Sequence, residues 1–396
     1  MKLLVFAHTP PPHHGQSYMV KLLLDGFKTE AELGLPETTQ ARVTCHHVNA
    51  HFSRDMADIG QFRWQKAFLI IRYCFAAIVL RIRHGVENFY YVPSPALKNP
   101  LIRDWIILLI CRPFFKRIFL HWHAAGLGHW LEKTQSPFTR WLSHRVLDHA
   151  DLSIAVSQVN IPDSAKFHPK HQALVYNGIS DPFPEFTSNI LPLRIERLRQ
   201  RMANTHNTCE INVLYLSLCC KEKGLMDTLH AIHIANTEKC TDGKKIKLKL
   251  KVAGQFLNPE EEKLFYNTIS ELSLEGDVTY AGFLGGESKH KAFVEADIFC
   301  LPTYYWAEAA VPLVLIEAMA CGLPMVASSW RLESEFYPPQ YPGLVEPKNP
   351  SQIAAAFIHL AEADMFQLFR DKFLNHFTLT KHIEELHKAF LKAVNS

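Results

Sequence analysis

Residues 299–328 read FCLPTYYWAEAAVPLVLIEAMACGLPMVAS, and the succession of apolar run, acidic loop and second apolar run decides the fold class. Ile298, Phe299, Cys300 and Leu301 form the short apolar run of a buried parallel strand, which Pro302 ends. Pro312 stands where a helix begins, and LVLIEAMACG from Leu313 reads as a buried helix closed by Gly322. The turn therefore lies at the carboxyl end of a strand, where open α/β sheets bind ligands. The first N–H groups of the helix, on residues such as Leu313 and Val314, face the loop, so a phosphate can dock on them. Glu308 and Glu317 bracket the turn. Glu317, about one turn into the helix, is badly placed to face an anion and well placed to accept hydrogen bonds from sugar hydroxyls.

Outward from this stretch, apolar strands alternate with longer helical segments along the whole chain, which predicts parallel α/β sheets. In the first half, strands are expected at 2–7, 43–48, 88–92, 117–121, 152–156 and 173–176. The second series is expected at 212–217, 248–253, 278–280, 298–301 and 324–327. Two Rossmann-like sheets result, joined at the Pro-rich SDPFPE of 180–185. The expected domains are 1–182 and 183–378. A C-terminal helical segment, 379–396, would pack back on one of them.

Nine cysteines without a C-x-x-C spacing fit a reducing cytosol rather than a disulfide framework. The apolar start, MKLLVFA, is too short for a signal-peptide core and reads as a first strand. Charge is uneven: residues 1–180 hold 20 Lys/Arg against 12 Asp/Glu, whereas the remainder holds 22 against 27. In the basic half, arginines surround the apolar stretches AFLIIRYCFAAIVL and WIILLICRPFF, neither of which offers the roughly 18 uninterrupted apolar residues of a membrane span. Two readings stand there: peripheral contact with an anionic leaflet, or core helices with arginines at the rim.

The glutamate loop is similar to the E-x7-E signature of family 4 retaining glycosyltransferases of the GT-B fold, two Rossmann-like domains facing across a cleft. The resemblance extends over nearly the whole chain and is strongest over 211–350. There LYLSLCCKEKGLMDTLHAI, LKVAGQF, VTYAGFLGGESKHKAFVEADIFCLP, the glutamate loop and GLVEPKNPSQIAAAF follow one another in family order. In the first half it rests on PPPHHGQ, HWHAAG, HADLSIAVS and VYNGI.

The resemblance implies a cytosolic, metal-independent enzyme without cofactor, whose first domain binds the acceptor and whose second binds a nucleotide-diphosphate sugar. By this resemblance Glu317 holds the ribose, Glu308 and His123 face the transferred sugar, and the amides of Leu313 and Val314 hold the diphosphate. Lys223 would neutralise charge on the departing diphosphate. Phe283 and Leu284 would line the base pocket, and Gly15 would let backbone approach phosphate or sugar. The basic, aromatic first half favours a glycan or lipid-linked acceptor at the membrane surface, in cell-surface polysaccharide or glycolipid synthesis, over a small soluble one. Contact with the membrane would run through the basic first domain, and no nucleic-acid partner is expected. Three positions depart from the family pattern. Glu308 and Glu317 stand nine apart rather than eight, which puts Ala309 at the first-glutamate position. Leu218 occupies the place of an arginine, with Lys221 as a substitute, and His14 replaces the first glycine of a Gly-Gly pair. Leu218 and the shifted Glu308 leave open an inactive, binding or regulatory relative. A further alternative, another GT-B enzyme such as a nucleotide-sugar epimerase or a phosphorylase, has the ordered blocks against it. His121 and His123 alternate on a strand end with metal-ligand spacing, but no third ligand accompanies them.

Overall fold

The computed structural model describes residues 1–11, 15–32, 43–52, 64–203, 208–237, 246–308, 311–330 and 336–396. It divides into two compact units, Met1–Ser180 with Ala307–Ala310 and Thr378–Ser396, and Asp181–Trp306 with Val311–Phe377.

The first unit opens with β1 (Lys2–Ala7), α1 (Gly15–Glu32), β2 (Thr44–Asn49), α2 (Trp64–His84), β3 (Asn88–Tyr91) and α3 (Lys98–Cys111). It continues through β4 (Arg117–Trp122), α4 (Leu127–Thr134), α5 (Pro137–Leu147), β5 (Leu152–Ala155), α6 (Ile161–Ala165) and β6 (Gln172–Leu174). The six strands are parallel in the order β2-β1-β3-β4-β5-β6. Val5 stands between His47 and Tyr90. Side chains alternate across the strands, so the sheet has two core layers. Leu4, Phe6, Phe89 and Trp122 pack with α2, α3 and α5. On the other face, Leu3, Val5, Tyr90 and Phe119 pack with α1 and the C-terminal helix.

The second unit runs α7 (Leu191–Ala203), β7 (Cys209–Leu216), α8 (Leu225–Thr237), β8 (Ile246–Ala253), α9 (Pro259–Glu271), β9 (Val278–Tyr280) and α10 (Gly286–Glu295). It closes with β10 (Ile298–Leu301), α11 (Leu313–Ala320), β11 (Met325–Ser328), β12 (Leu344–Val345), α12 (Pro350–Leu360) and α13 (Phe366–His376). Its parallel order is β12-β11-β10-β7-β8-β9, the doubly wound order of dinucleotide-binding sheets. Every residue of β10 and β11 is buried, as their unbroken apolar runs require. The expected strands all form, with ends displaced by three residues at most. Only the two-residue β12 was not anticipated; it is too short to show a period.

Two buried arginines tie the second unit together. Arg194 of α7 donates to the carbonyls of Ala296 (2.8 Å), Phe293 (3.0 Å) and Cys321 (3.0 Å), so its guanidinium is buried without losing its acceptors. Arg370 of α13 donates to Asp181 Oδ1 (2.8 Å) and Ala320 O (2.9 Å), which anchors the Pro-rich segment expected as a linker. The last helix, α14 (Leu379–Asn395), returns to the first unit. Its apolar stripe Ile383, Leu386 and Phe390 joins that unit's core, and Phe390 stacks on Phe119 at 5.5 Å between ring centroids.

Candidate functional site

In the second unit, strand order reverses between β7 and β10, so the loops leaving these neighbours diverge and open a crevice at the carboxyl edge. The β7 loop makes a single tight turn, Lys221–Lys223, and ends on Gly224 with φ 78°. A Cβ on Gly224 would lie 2.5 Å from Pro302 O, so only glycine allows this loop to rest against the end of β10. Tyr304 N–H then donates to Glu222 O at 2.8 Å. Through that contact Lys223 Nζ comes to 4.8 Å from the centroid of the Tyr305 ring, within cation–π range. Tyr305 is in turn held by Trp330, whose indole N–H donates to its carbonyl at 3.3 Å.

Beyond the loop, α11 starts at Leu313 after Pro312, and no side chain caps it. The N–H groups of Leu315 and Ile316 donate to Pro312 O at 2.9 and 3.2 Å. Those of Leu313 and Val314 precede any intrahelical acceptor and carry the positive end of the helix dipole. Glu317 follows one turn later, half-buried, with Lys289 Nζ 2.5 Å from its Oε1. Lys289 lies in the first turn of α10, directly after the loop of Phe283 and Leu284. Gly254 N–H, donating to Gly282 O at 2.9 Å, fixes that loop. Phe283 is 65% exposed and Leu284 half-buried. Glu308 is half-buried in the β10 loop, whereas Ala309 lies outside the described residues. Leu218 is half-buried and its carbonyl accepts from the Tyr215 hydroxyl at 3.3 Å.

In the first unit the order reverses between β1 and β3. Gly15 is the exposed first residue of α1, and His14 lies outside the described residues. His123 follows β4, half-buried, with its ring 4.2 Å from that of His121. His121 is fully buried. Its Nδ1 lies 2.6 Å from the Tyr90 hydroxyl, which burial keeps protonated. Burial, then the neighbouring His123 and His382, pushes the His121 pKa well down, so this imidazole is neutral. His382 of α14 binds Tyr176 O at 2.7 Å, and burial lowers its pKa to about 4. A buried carboxylate sets the loop after β3: Asp104 accepts from the Tyr91 hydroxyl and the Ser94 N–H, both at 2.6 Å. Among the described residues one group of three, His144, Asp148 and His168, brings metal-ligand atoms within 4.8 Å of one another. Neither His121 nor His123 is in it.

The structure thus brings Lys223 to Tyr305 and Glu317 to Lys289, pairs that no spacing in the sequence announces. Lys289 could have been found from the second unit's order, because α10 and α11 flank the same strand, β10.

Residues 196–371 match the family model described as Glycosyl transferases group 1. Over 182 residues, 46% of the chain, it is 27% identical to an uncharacterized glycosyltransferase of Methanocaldococcus jannaschii, covering 42% of that protein. Over 93 residues it is 34% identical to the amylovoran biosynthesis glycosyltransferase AmsK of Erwinia amylovora, 23% of each chain being covered. The chain therefore spans less than half the length of these curated relatives. Among solved structures, sucrose-phosphate synthase from Thermosynechococcus elongatus aligns over 100% of both chains with a TM-score of 0.68 at 15% identity. Anabaena Alr3699/HepE in complex with UDP aligns over 99% of this chain and 100% of its own, with a TM-score of 0.64 at 16% identity. These likenesses show the fold, which is GT-B.

Proposed function

With residues 196–371 a glycosyl transferases group 1 segment on a GT-B fold, we propose that the chain is a retaining glycosyltransferase using a nucleotide-diphosphate sugar. The acceptor is a glycan or a lipid-linked sugar, and the reaction needs neither metal nor organic cofactor. The observation that carries the reading is the set at the β7/β10 reversal: Lys223 beside Tyr305, the open amides of α11, and Glu317 held by Lys289.

Transfer breaks the bond from the anomeric carbon to the phosphate oxygen, which leaves with the electron pair. It forms a bond from that carbon to the oxygen of an acceptor hydroxyl on the same face, whose proton passes to the departing phosphate oxygen. The main demand is stabilisation of the departing diphosphate. Lys223 and the Leu313 and Val314 amides meet it in the second unit. Glu317 accepts the ribose hydroxyls, its carboxylate oriented by Lys289. Phe283 and Leu284 contact the base, and Glu308, His123 and Gly15 attend to the transferred sugar and its phosphate. The Erwinia relative is named for amylovoran biosynthesis, and a biosynthetic transfer to a growing glycan is the reading adopted for this chain.

Calorimetric titration with uridine, guanosine and adenosine diphosphates tests the donor site. UDP comes first because an Anabaena neighbour was crystallised with it. One diphosphate is expected to bind, and its sugars to be turned over with retained anomeric configuration by NMR; if no diphosphate binds or protects against thermal unfolding, the enzyme reading fails. Leu218, apolar where the family carries a cation, favours a second reading, nucleotide binding without turnover. Binding with no product from a donor panel selects that reading, and a product that remains a nucleotide sugar selects an epimerase.

A further inference from the structure

Helix α2 is apolar on two opposite faces. Ile70, Cys74 and Ala77 are buried against the sheet. On the other side Phe68, Ile71, Phe75, Val79 and Ile82 stand 73, 51, 68, 42 and 73% exposed. Successive steps of three and four residues place these five on one stripe. A water-facing helix normally carries polar residues there, and scattered single apolar residues would need no explanation. A stripe of five does.

The exposure continues across the same helical layer. Helix α3 packs against both α2 and α5 and leaves Ile102 and Leu109 42 and 50% exposed. On α5, Phe138 and Trp141 are 65 and 61% exposed, with ring centroids 6.0 Å apart. The charges of this layer have one sign. Helix α2 holds four Lys/Arg, α3 two and α5 two, and the single carboxylate among the three helices, Asp104, is fully buried. Arg72 and Arg83 are exposed and flank the α2 stripe on one edge. None of the described helices is long and apolar enough to cross a membrane.

We propose that the α2–α3–α5 layer of the first unit seats the protein on an anionic lipid surface, with the α2 stripe and the Phe138–Trp141 pair entering the headgroup region. Aromatic and branched side chains partition into that boundary, and arginines beside them meet lipid phosphates. Charge decides against a second copy of this chain as the occupant. A two-fold contact would set this face against itself, Arg72 and Arg83 included, with no exposed carboxylate on the three helices to answer them.

The test is co-sedimentation of the full chain with vesicles of phosphatidylcholine alone and of phosphatidylcholine with phosphatidylglycerol. Binding is expected to the mixed vesicles only and to weaken with added salt. Phe68→Glu with Phe75→Glu should reduce it by at least about tenfold, and Arg72→Glu with Arg83→Glu by roughly tenfold to a hundredfold. All four side chains are exposed, so the variants should keep the wild-type melting temperature, which is measured alongside. Undiminished vesicle binding in both double variants overturns the proposal, as does no binding by the wild type. A dimer in light scattering that Phe75→Glu dissolves, without vesicle binding, assigns the face to self-association and overturns it as well. The inference does not rest on the donor reading: these substitutions leave the second unit untouched, so nucleotide titration of the same samples scores that reading separately.

Discussion

The two units use the same construction, six parallel strands wrapped by helices, yet their order-reversal points are furnished in opposite ways. At the β7/β10 reversal the second unit gathers charge: a lysine on a tyrosine ring, a carboxylate pinned by a second lysine, and a helix start with open amides. Close to its own reversal the first unit gathers neutral, buried imidazoles, His121 and His382, and its outer helical layer sets cations such as Arg72 and Arg83 among exposed apolar side chains. A doubly wound sheet supplies only a crevice at its carboxyl edge. Whether that crevice holds an anion or a neutral polyol is decided by the loops.

The sharpest way to break this contrast is to remove the charge from the second unit's crevice. Lys223→Ala should lower kcat by about a thousandfold, roughly 4 kcal/mol, with little change in nucleotide affinity, as steady-state kinetics and calorimetry together will read. Loss of affinity with kcat unchanged would assign Lys223 to ground-state binding instead.

Backbone closeness at the same edge gives the next largest effect. A Cβ at Gly254 would sit 1.7 Å from Ser217 O, and φ there is +139°. Gly254→Ala should therefore destabilise the protein by roughly 3–4 kcal/mol in denaturant titration, because backbone must move to admit it. A change under 1 kcal/mol would mean that the loops after β7 and β8 yield independently.

The neutral histidines of the first unit predict a pH dependence of opposite origin. The pKa of His382 falls from 6.5 to about 4 on folding, so the unfolded chain binds the proton more tightly. Stability is then full above pH 6.5 and declines as pH falls toward 4, by about 3 kcal/mol from this residue alone. His121, lowered in the same direction, adds to the decline. His382→Gln should flatten the curve of denaturation midpoint against pH between those limits; an unchanged slope contradicts the burial argument.

The smallest effect discriminates within the crevice. Glu317→Ala should raise the Kd for nucleoside diphosphate about tenfold, near 1.4 kcal/mol, and Lys289→Ala by less, since the lysine acts by orienting the carboxylate. Affinity unchanged in both variants removes Glu317 from the ribose site.

Much of this was legible in the chain. The runs at 298–301 and 324–327 are apolar without interruption because both faces of a parallel strand are covered, and the period change at Pro312 marks the helix start. Lys223 and Glu317 were legible as chemistry too, a lysine and a carboxylate close to strand ends. Their partners were not. Lys289 is 28 positions from Glu317, and only the adjacency of α10 and α11 brings it within reach. The apolar, arginine-rich stretch of α2 allowed both a core helix and a surface helix, because helical periodicity tells which residues share a face and not which face the sheet covers.

By itself, then, the sequence determined two doubly wound sheets, the strand-to-helix turns at their carboxyl ends and the residue types offered there, since these follow from local periodicity and turn chemistry. The tertiary structure decided which side chains meet: Lys223 with Tyr305, Glu317 with Lys289, His121 with Tyr90, and which face of α2 stays bare. Those outcomes depend on strand order and on close backbone approaches such as Gly224 against Pro302, contacts between residues far apart in the chain that no local pattern encodes.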